Sequence, residues 1–309
     1  MPRLRVANES VTVFEVGVRD GLQNESRLIT FADKMFLIQG LLSAGVSELE
    51  LGAFVRPDRV PKMADTDLIY AAVRNKDLNL KKARAWSLVP NRKGLDRAIA
   101  AGVKQIAVFT AATETFAQKN IGMSIDESLT EFKEVIKIAS SHKILVRGYV
   151  STVFGCPFEG KVAPRAALKV IERLFDLGVF QVSVGDTIGV ATPRGVDQIV
   201  KPALKILKKK NQLACHFHDT RGTALANTLR AFEMGVRVFD SSAGGLGGCP
   251  FAPGATGNLA TEDLIYMLDG MGVRTGIDLQ RLAGVSLEFS SRIKRPLSSR
   301  YLQAFAAAC

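Results

Sequence analysis

Apolar residues recur along this chain with two alternating periods, and the change from one to the other is marked four times by Gly-Val. FADKMFLIQGLLSAG (31–45) carries apolar positions at helical spacing and runs through Gly45-Val46 into the compact stretch SELEL. The same succession closes in SAGVSELEL (43–51), AAGVKQIAVF (100–109), DLGVFQVSV (176–184) and EMGVRVFDS (233–241). A glycine that ends a helix takes the left-handed conformation readily, and the short apolar or β-branched run after it suits a buried strand. VTVFEVG (11–17), ARAWSLV (83–89), ILVRGYVS (144–151) and LACHFH (213–218) supply further strand candidates. Strands alternating with helix-length intervals imply parallel pairing through right-handed crossovers, and eight such units favour an α/β fold, a (β/α)8 TIM barrel, over an open doubly wound sheet. Helical patterning continues in NLATEDLIYMLDGM and IDLQRLAGVSLEF, and no Pro/Gly/Ser-rich linker intervenes. The expectation is a single catalytic domain over 1–309, with the barrel over about 10–270 and a C-terminal helical extension over about 271–309.

In such a barrel the chemistry comes from the C-terminal ends of the strands and the loops after them. The unusual polar residues fall there. The first strand runs into EVGVRDGLQNE, placing Arg19 and Asp20 just past its end; the second ends in Glu50; the sixth delivers Asp186; the seventh ends in His216 and His218. After the eighth comes the glycine-rich AGGLGGCPFAPGATGN (243–258), with Cys249 and Asn258.

His216 and His218 are two of only three histidines in the chain. Two apart on a strand, they share a face, with Phe217 pointing the other way. Two imidazoles converging with the Asp20 carboxylate and the Asn258 amide make a mixed, fairly hard donor set. It suits Mg²⁺ or Mn²⁺ with open positions better than a closed structural zinc site. Cys249 fits the role of nucleophile or general acid better than that of a ligand to so hard an ion. Its loop matches neither the P-loop nor the Rossmann spacing and reads as a flap over the barrel mouth. Cys215 alternates away from the histidines, Cys156 sits in a loop after the fifth strand, and His142 reads as the end of a helix.

Composition bounds the rest. With 309 residues, 47% hydrophobic and 23% charged, the chain has ample material for a large core. Every apolar run is broken well before about 18 residues, so no membrane span is expected, and MPRLRVANES lacks a secretory apolar core. The expected location is cytoplasmic, a processed organellar form being invisible to such a reading. Four dispersed cysteines fit a reducing compartment. The net charge of +11 is spread singly, without the clustering and aromatic interleaving of a nucleic-acid binder.

VRDGLQNE (18–25), LGAFVRPDRVPKMAD (51–65), VRGYVSTVFGCPFEGKV (146–162), VGDTIGVATP (184–193), CHFHDTRGTALANTL (215–229) and GGLGGCPFAPGATGNLATEDLIYMLDG (244–270) together resemble the 3-hydroxy-3-methylglutaryl-CoA lyase family. Condensing relatives of that superfamily usually carry a different loop in place of GGCPFAPGATGN. Val18 stands where the family usually has proline, a small departure. The resemblance implies a metal-dependent cleavage of the acyl-CoA to acetyl-CoA and acetoacetate, with metal ligands Asp20, His216, His218 and Asn258. It further implies that Arg19 and Gln23 contact the substrate, that Cys249 is the catalytic cysteine of the flap, that Glu50 and Asp186 support the site, and that the protein is a homodimer. Asp186 is the first candidate for general base, with His216 the other. The alternative is a superfamily lyase, aldolase or synthase acting on a different acyl-CoA or keto acid.

Overall fold

The structure, a computed structural model, describes residues 9–207, 209–248 and 257–308. Eight parallel strands close into one barrel in sequence order: β1 Thr12–Glu15, β2 Glu48–Ala53, β3 Arg84–Leu88, β4 Gln105–Ala111, β5 Leu145–Ser151, β6 Gln181–Asp186, β7 Leu213–Phe217 and β8 Val238–Ser241. Each overlaps a segment that the sequence pattern assigned to a strand, with β2, β4 and β6 running two residues past it. Helices fill the intervals, two of them (Glu114–Ile121 and Ile125–Ser141) between β4 and β5, and Leu279–Ile293 and Arg300–Ala308 follow the barrel.

The four Gly-Val signals share one mechanism. Gly45, Gly102, Gly178 and Gly235 all have positive φ. In each case the glycine N–H bonds back three residues and the valine N–H five, as in Val46 to Leu41 and Val236 to Ala231. That is the Schellman closure, and the valines at its end are buried at 0–4% exposure. A left-handed residue and an apolar anchor thus turn each helix directly into the next strand.

Inside the barrel an apolar plug of Phe14, Trp86, Ala214 and Val238 closes the N-terminal end. Above it the inward positions turn polar. The fully buried Arg147 lays its guanidinium 3.8 Å from the Phe14 ring centre and pairs with the equally buried Asp240. The site sits on this charged layer.

Two buried carboxylates bind the barrel mouth to the C-terminal helices. Glu15 accepts from the amides of Gly17 and Ala243 and from the Thr261 hydroxyl. Glu262 accepts from the Gly244 amide at 2.7 Å and the Ser286 hydroxyl at 2.5 Å. Burial pushes both up to about 7 against these donors. A carboxyl whose folded pKa exceeds its unfolded value contributes stability that is complete below about 4.5 and is lost as pH rises through 7. Glu262→Gln keeps the shape without the charge. Its melting temperature relative to wild type should therefore climb between about pH 5 and pH 8, by about 3 °C or more. A constant difference across that range would contradict the assignment.

Candidate active site

After β1 the chain makes a single π-helical turn, Gly17–Gly21, in which the amides of Arg19, Asp20 and Gly21 all point to the Val16 carbonyl. The turn throws Arg19 and Asp20 over the barrel mouth while Val18 packs into the core. It lies tight against the segment after β8, where a Cβ on Gly21 would come 2.9 Å from the Leu246 Cβ. That contact explains the glycine following Arg-Asp.

Arg19 is almost buried and held from several sides. Its Nε donates to Glu50 Oε2 at 2.6 Å, Nη1 donates to Asp20 Oδ1 at 2.8 Å, and its guanidinium lies 5.4 Å from the Tyr149 ring centre. Tyr149 donates to the same Glu50 oxygen at 3.3 Å. Burial works against the cation, but the Glu50 and Asp20 charges outweigh it and raise the Arg19 pKa further. For Glu50 burial is the larger effect and pushes it above the usual carboxylate range, although the Arg19 charge opposes this. Arg19 stays cationic, since guanidinium is the harder of the two to neutralise.

His216 and His218 lie at the end of β7 on one face, with ring centres 5.2 Å apart. Asp20 closes the group: its Oδ2 is 4.0 Å from His216 Nε2, and one donor atom from each of the three residues falls within 4.8 Å of the others. Asn258 arrives from the far end of the glycine-rich loop. It donates to Asp20 Oδ2 at 2.9 Å and to the Leu246 carbonyl at 3.1 Å. Backbone bonds from Leu259 to Phe217 and from Asp219 to Gly257 fix this return of the chain beside β7.

Two buried donor atoms in the group have no partner, His218 Nδ1 and Asn258 Oδ1. An unmet lone pair on a buried group costs free energy unless something supplies a positive centre. The electrostatics agree. Burial alone would raise Asp20, but the Arg19 charge, the two imidazoles and the Asn258 bond hold it down to about 2. Burial and the neighbouring His216 lower His218 to about 4, leaving it neutral at physiological pH. One carboxylate, two imidazoles and an amide oxygen fit a divalent cation, with no thiolate among the described residues of the group.

Asn258 depends on its neighbour's lack of a side chain. Gly247 has φ +122°, and a Cβ there would stand 2.7 Å from Asn258 Nδ2. Gly247→Ala should strain the loop and displace the amide, weakening metal binding by roughly 10-fold or more. Unchanged metal affinity would show that Asn258 is not held this way.

The structure brings together Arg19, Asp20, Glu50, His216, His218 and Asn258, and Gln23 joins Arg19, Asp20 and both histidines on the cavity lining. It does not bring in Asp186. In the β6–β7 register Gly185 pairs with His216 and Asp186 with Phe217, so Asp186 shares the outward face. Its oxygens accept from the amides of Val190 and Ala191 at 2.9 and 3.0 Å, and it is absent from the cavity lining. The candidate base of the sequence reading is thus an anchor of the turn after β6. Cys156, in the loop after β5, is buried and accepts from the Thr113 hydroxyl at 3.3 Å. Cys215 is core, as alternation required. Cys249 lies outside the described residues.

The sequence reading missed the layer beneath: Asp240, Arg147, Ser183 and Tyr149. Their signal was present, since Asp240 and Arg147 are lone charges inside otherwise apolar strands. The sequence reading places Ser183 and Asp240 in the repeat and Arg147 and Tyr149 in a further strand candidate, and assigns none of them to the site.

Fold and site together define a (β/α)8-barrel enzyme with a candidate divalent-metal centre beside a fixed guanidinium. The HMGL-like family model matches residues 10–287, and the chain belongs to that family. It is 46% identical to the hydroxymethylglutaryl-CoA lyase of Pseudomonas mevalonii, over 97% of this chain and 98% of the relative. To the mitochondrial hydroxymethylglutaryl-CoA lyase of Bos taurus it is also 46% identical, over 96% of this chain and 90% of that one. Among solved structures, the hydroxymethylglutaryl-CoA lyase of Pseudomonas aeruginosa superposes with a TM-score of 0.93 at 42% identity, covering 97% of this chain and 99% of the other. An HMG-CoA lyase of Acinetobacter baumannii, solved with coenzyme A and 3-methylmalate, matches with a TM-score of 0.90 at 37% identity over 96% and 95% of the two chains.

Proposed function

We propose that this protein cleaves 3-hydroxy-3-methylglutaryl-CoA to acetyl-CoA and acetoacetate with the help of Mg²⁺ or Mn²⁺. The observation that carries the reading is the juxtaposition of Arg19 with the Asp20–His216–His218–Asn258 group on one cavity. It is supported by near full-length identity to relatives of that name and by the coenzyme A bound to the Acinetobacter baumannii lyase.

The reaction breaks the bond between the carbinol carbon and the carbon next to the thioester. The tertiary hydroxyl loses its proton, its oxygen becomes the ketone of acetoacetate, and the bonding pair moves into the thioester as an enolate. A cation in the Asp20–His216–His218–Asn258 group would acidify and orient that hydroxyl. Arg19 receives the developing charge. Its guanidinium is pinned by Glu50 and faced by Tyr149, so it is already oriented towards the cavity when the thioester oxygen becomes anionic. Gln23, next to Arg19 on the lining, holds the acyl group, and Phe109 and Phe116 give the same cavity an apolar wall that excludes water. Asp20 is a carboxylate on the lining and Asp186 is not, which favours a carboxylate oxygen of Asp20 over Asp186 as acceptor of the hydroxyl proton. Cys249 protonates the enolate carbon to complete acetyl-CoA, and the working form is a homodimer, as the family resemblance implies.

Incubation with 3-hydroxy-3-methylglutaryl-CoA and Mg²⁺ or Mn²⁺ should release acetyl-CoA and acetoacetate in equal amounts. Absence of acetoacetate at every metal concentration, with turnover of a different acyl-CoA or keto acid, would transfer the protein to a condensing or aldol-cleaving relative.

A further inference from the structure

His216 must present one nitrogen to the centre and keep the other out of it, and the barrel contains the means to decide which. Below the ring, Asp240 stands opposite it in the β7–β8 register. Asp240 Oδ2 lies 3.3 Å from His216 Nδ1 and accepts from the Ser183 hydroxyl at 2.7 Å. Its other oxygen, Oδ1, accepts from Arg147 Nη2 at 2.5 Å. Arg147 and Asp240 side chains are both wholly inaccessible. A buried guanidinium keeps its charge, so the carboxylate that balances it stays ionised and can only accept hydrogen bonds.

We propose that Asp240 is a positioning residue that locks His216 in the Nδ1–H tautomer, leaving the Nε2 lone pair facing Asp20, and that Arg147 and Ser183 hold Asp240 in place to do so. The proposal rests on the reading of Asp20, His216, His218 and Asn258 as a metal centre, and it adds the device that makes His216 ready before any ion arrives. An imidazole free to choose its tautomer would present N–H to the cation part of the time, and that population cannot ligate.

The arrangement also ties the two halves of the site together. Arg147 Nη1 donates to the Tyr149 hydroxyl at 2.9 Å, Tyr149 donates to Glu50, and Glu50 accepts from Arg19. One continuous run of charged and hydroxyl groups therefore sets both the imidazole that faces Asp20 and the guanidinium that meets the thioester. Arg147 is itself held against two rings, 3.8 Å from the centre of Phe14 and 4.8 Å from that of Tyr149. Movement of Asp240 would therefore require repacking of the barrel interior.

With three histidines in the chain, ¹⁵N-histidine labelling reads the tautomer directly in metal-free protein, before any question of activity arises. His142→Gln and His216→Gln spectra assign the rings, recorded above the pH at which the ¹⁵N shifts stop changing so that neutral rings dominate. Wild-type His216 should show a protonated Nδ1 and a bare Nε2. In Asp240→Asn the carboxamide can turn its NH₂ to the ring, so His216 should switch towards Nε2–H and Mn²⁺ affinity should fall about 10- to 100-fold. Wild-type His216 carrying its proton on Nε2, or Asp240→Asn retaining the wild-type pattern, overturns the proposal. Should Asp240→Asn fail to fold beside an uncompensated Arg147, the wild-type spectrum decides alone. A correct tautomer in a protein that binds no Mn²⁺ would instead fault the metal reading, so the two failures are distinguishable.

Discussion

Asp20→Ala should bind Mn²⁺ at least 100-fold more weakly than wild type and lose roughly 1,000-fold or more in kcat/KM, with the fold intact by circular dichroism. The expectation follows from what converges on this side chain. Asp20 is the carboxylate of the His216–His218 group, it is held ionised at about 2, and its two oxygens meet Arg19 and Asn258 separately. Alanine removes the negative charge from the ion and frees the Asn258 amide and one arm of Arg19 at once. The residue stands on a turn at the mouth and not in the core, so stability should suffer much less than binding. Wild-type turnover in this variant would refute the metal centre.

Arg19→Gln should leave metal affinity within a few-fold and reduce kcat by about 100- to 1,000-fold, with KM changing much less. Glutamine can still donate to Glu50, so the variant tests the charge and the fork rather than the packing. Lysine is a poor substitute as well, because a point charge cannot bond Glu50 and Asp20 in fixed directions and still face the cavity. A rise in KM at constant kcat would mean that Arg19 binds the ground state and the enolate equally, and its role as oxyanion partner would fall.

The strands were legible because each carries its own local signal. Gly45, Gly102, Gly178 and Gly235 need the left-handed region, the valine after each needs burial, and both demands are written in two adjacent letters. Arg19, Asp20, His216 and His218 were legible for a second reason, because position relative to a strand end is a one-dimensional property. What the sequence leaves open is which face of one strand aligns with which face of the next. Asp186 and His216 both sit near strand ends, yet the β6–β7 register sends one outward to cap a turn and the other inward to the cavity. A shift of a single residue would have reversed them. Asp240 was hidden by the same ambiguity: four letters, VFDS, read equally well with the acid facing the helices. Only pairing with His216 across β7–β8 shows that it faces the barrel axis. Asn258 depends on a path through the loop that no local pattern specifies.

The most direct test of the account is a titration of chelator-stripped protein with Mn²⁺, following bound ion by electron paramagnetic resonance and 3-hydroxy-3-methylglutaryl-CoA cleavage in the same samples. One tight site per chain, with activity rising along the same curve and both lost in His216→Ala, is the expected result. Full activity in the stripped protein, or tight binding that His216→Ala leaves untouched, would contradict it.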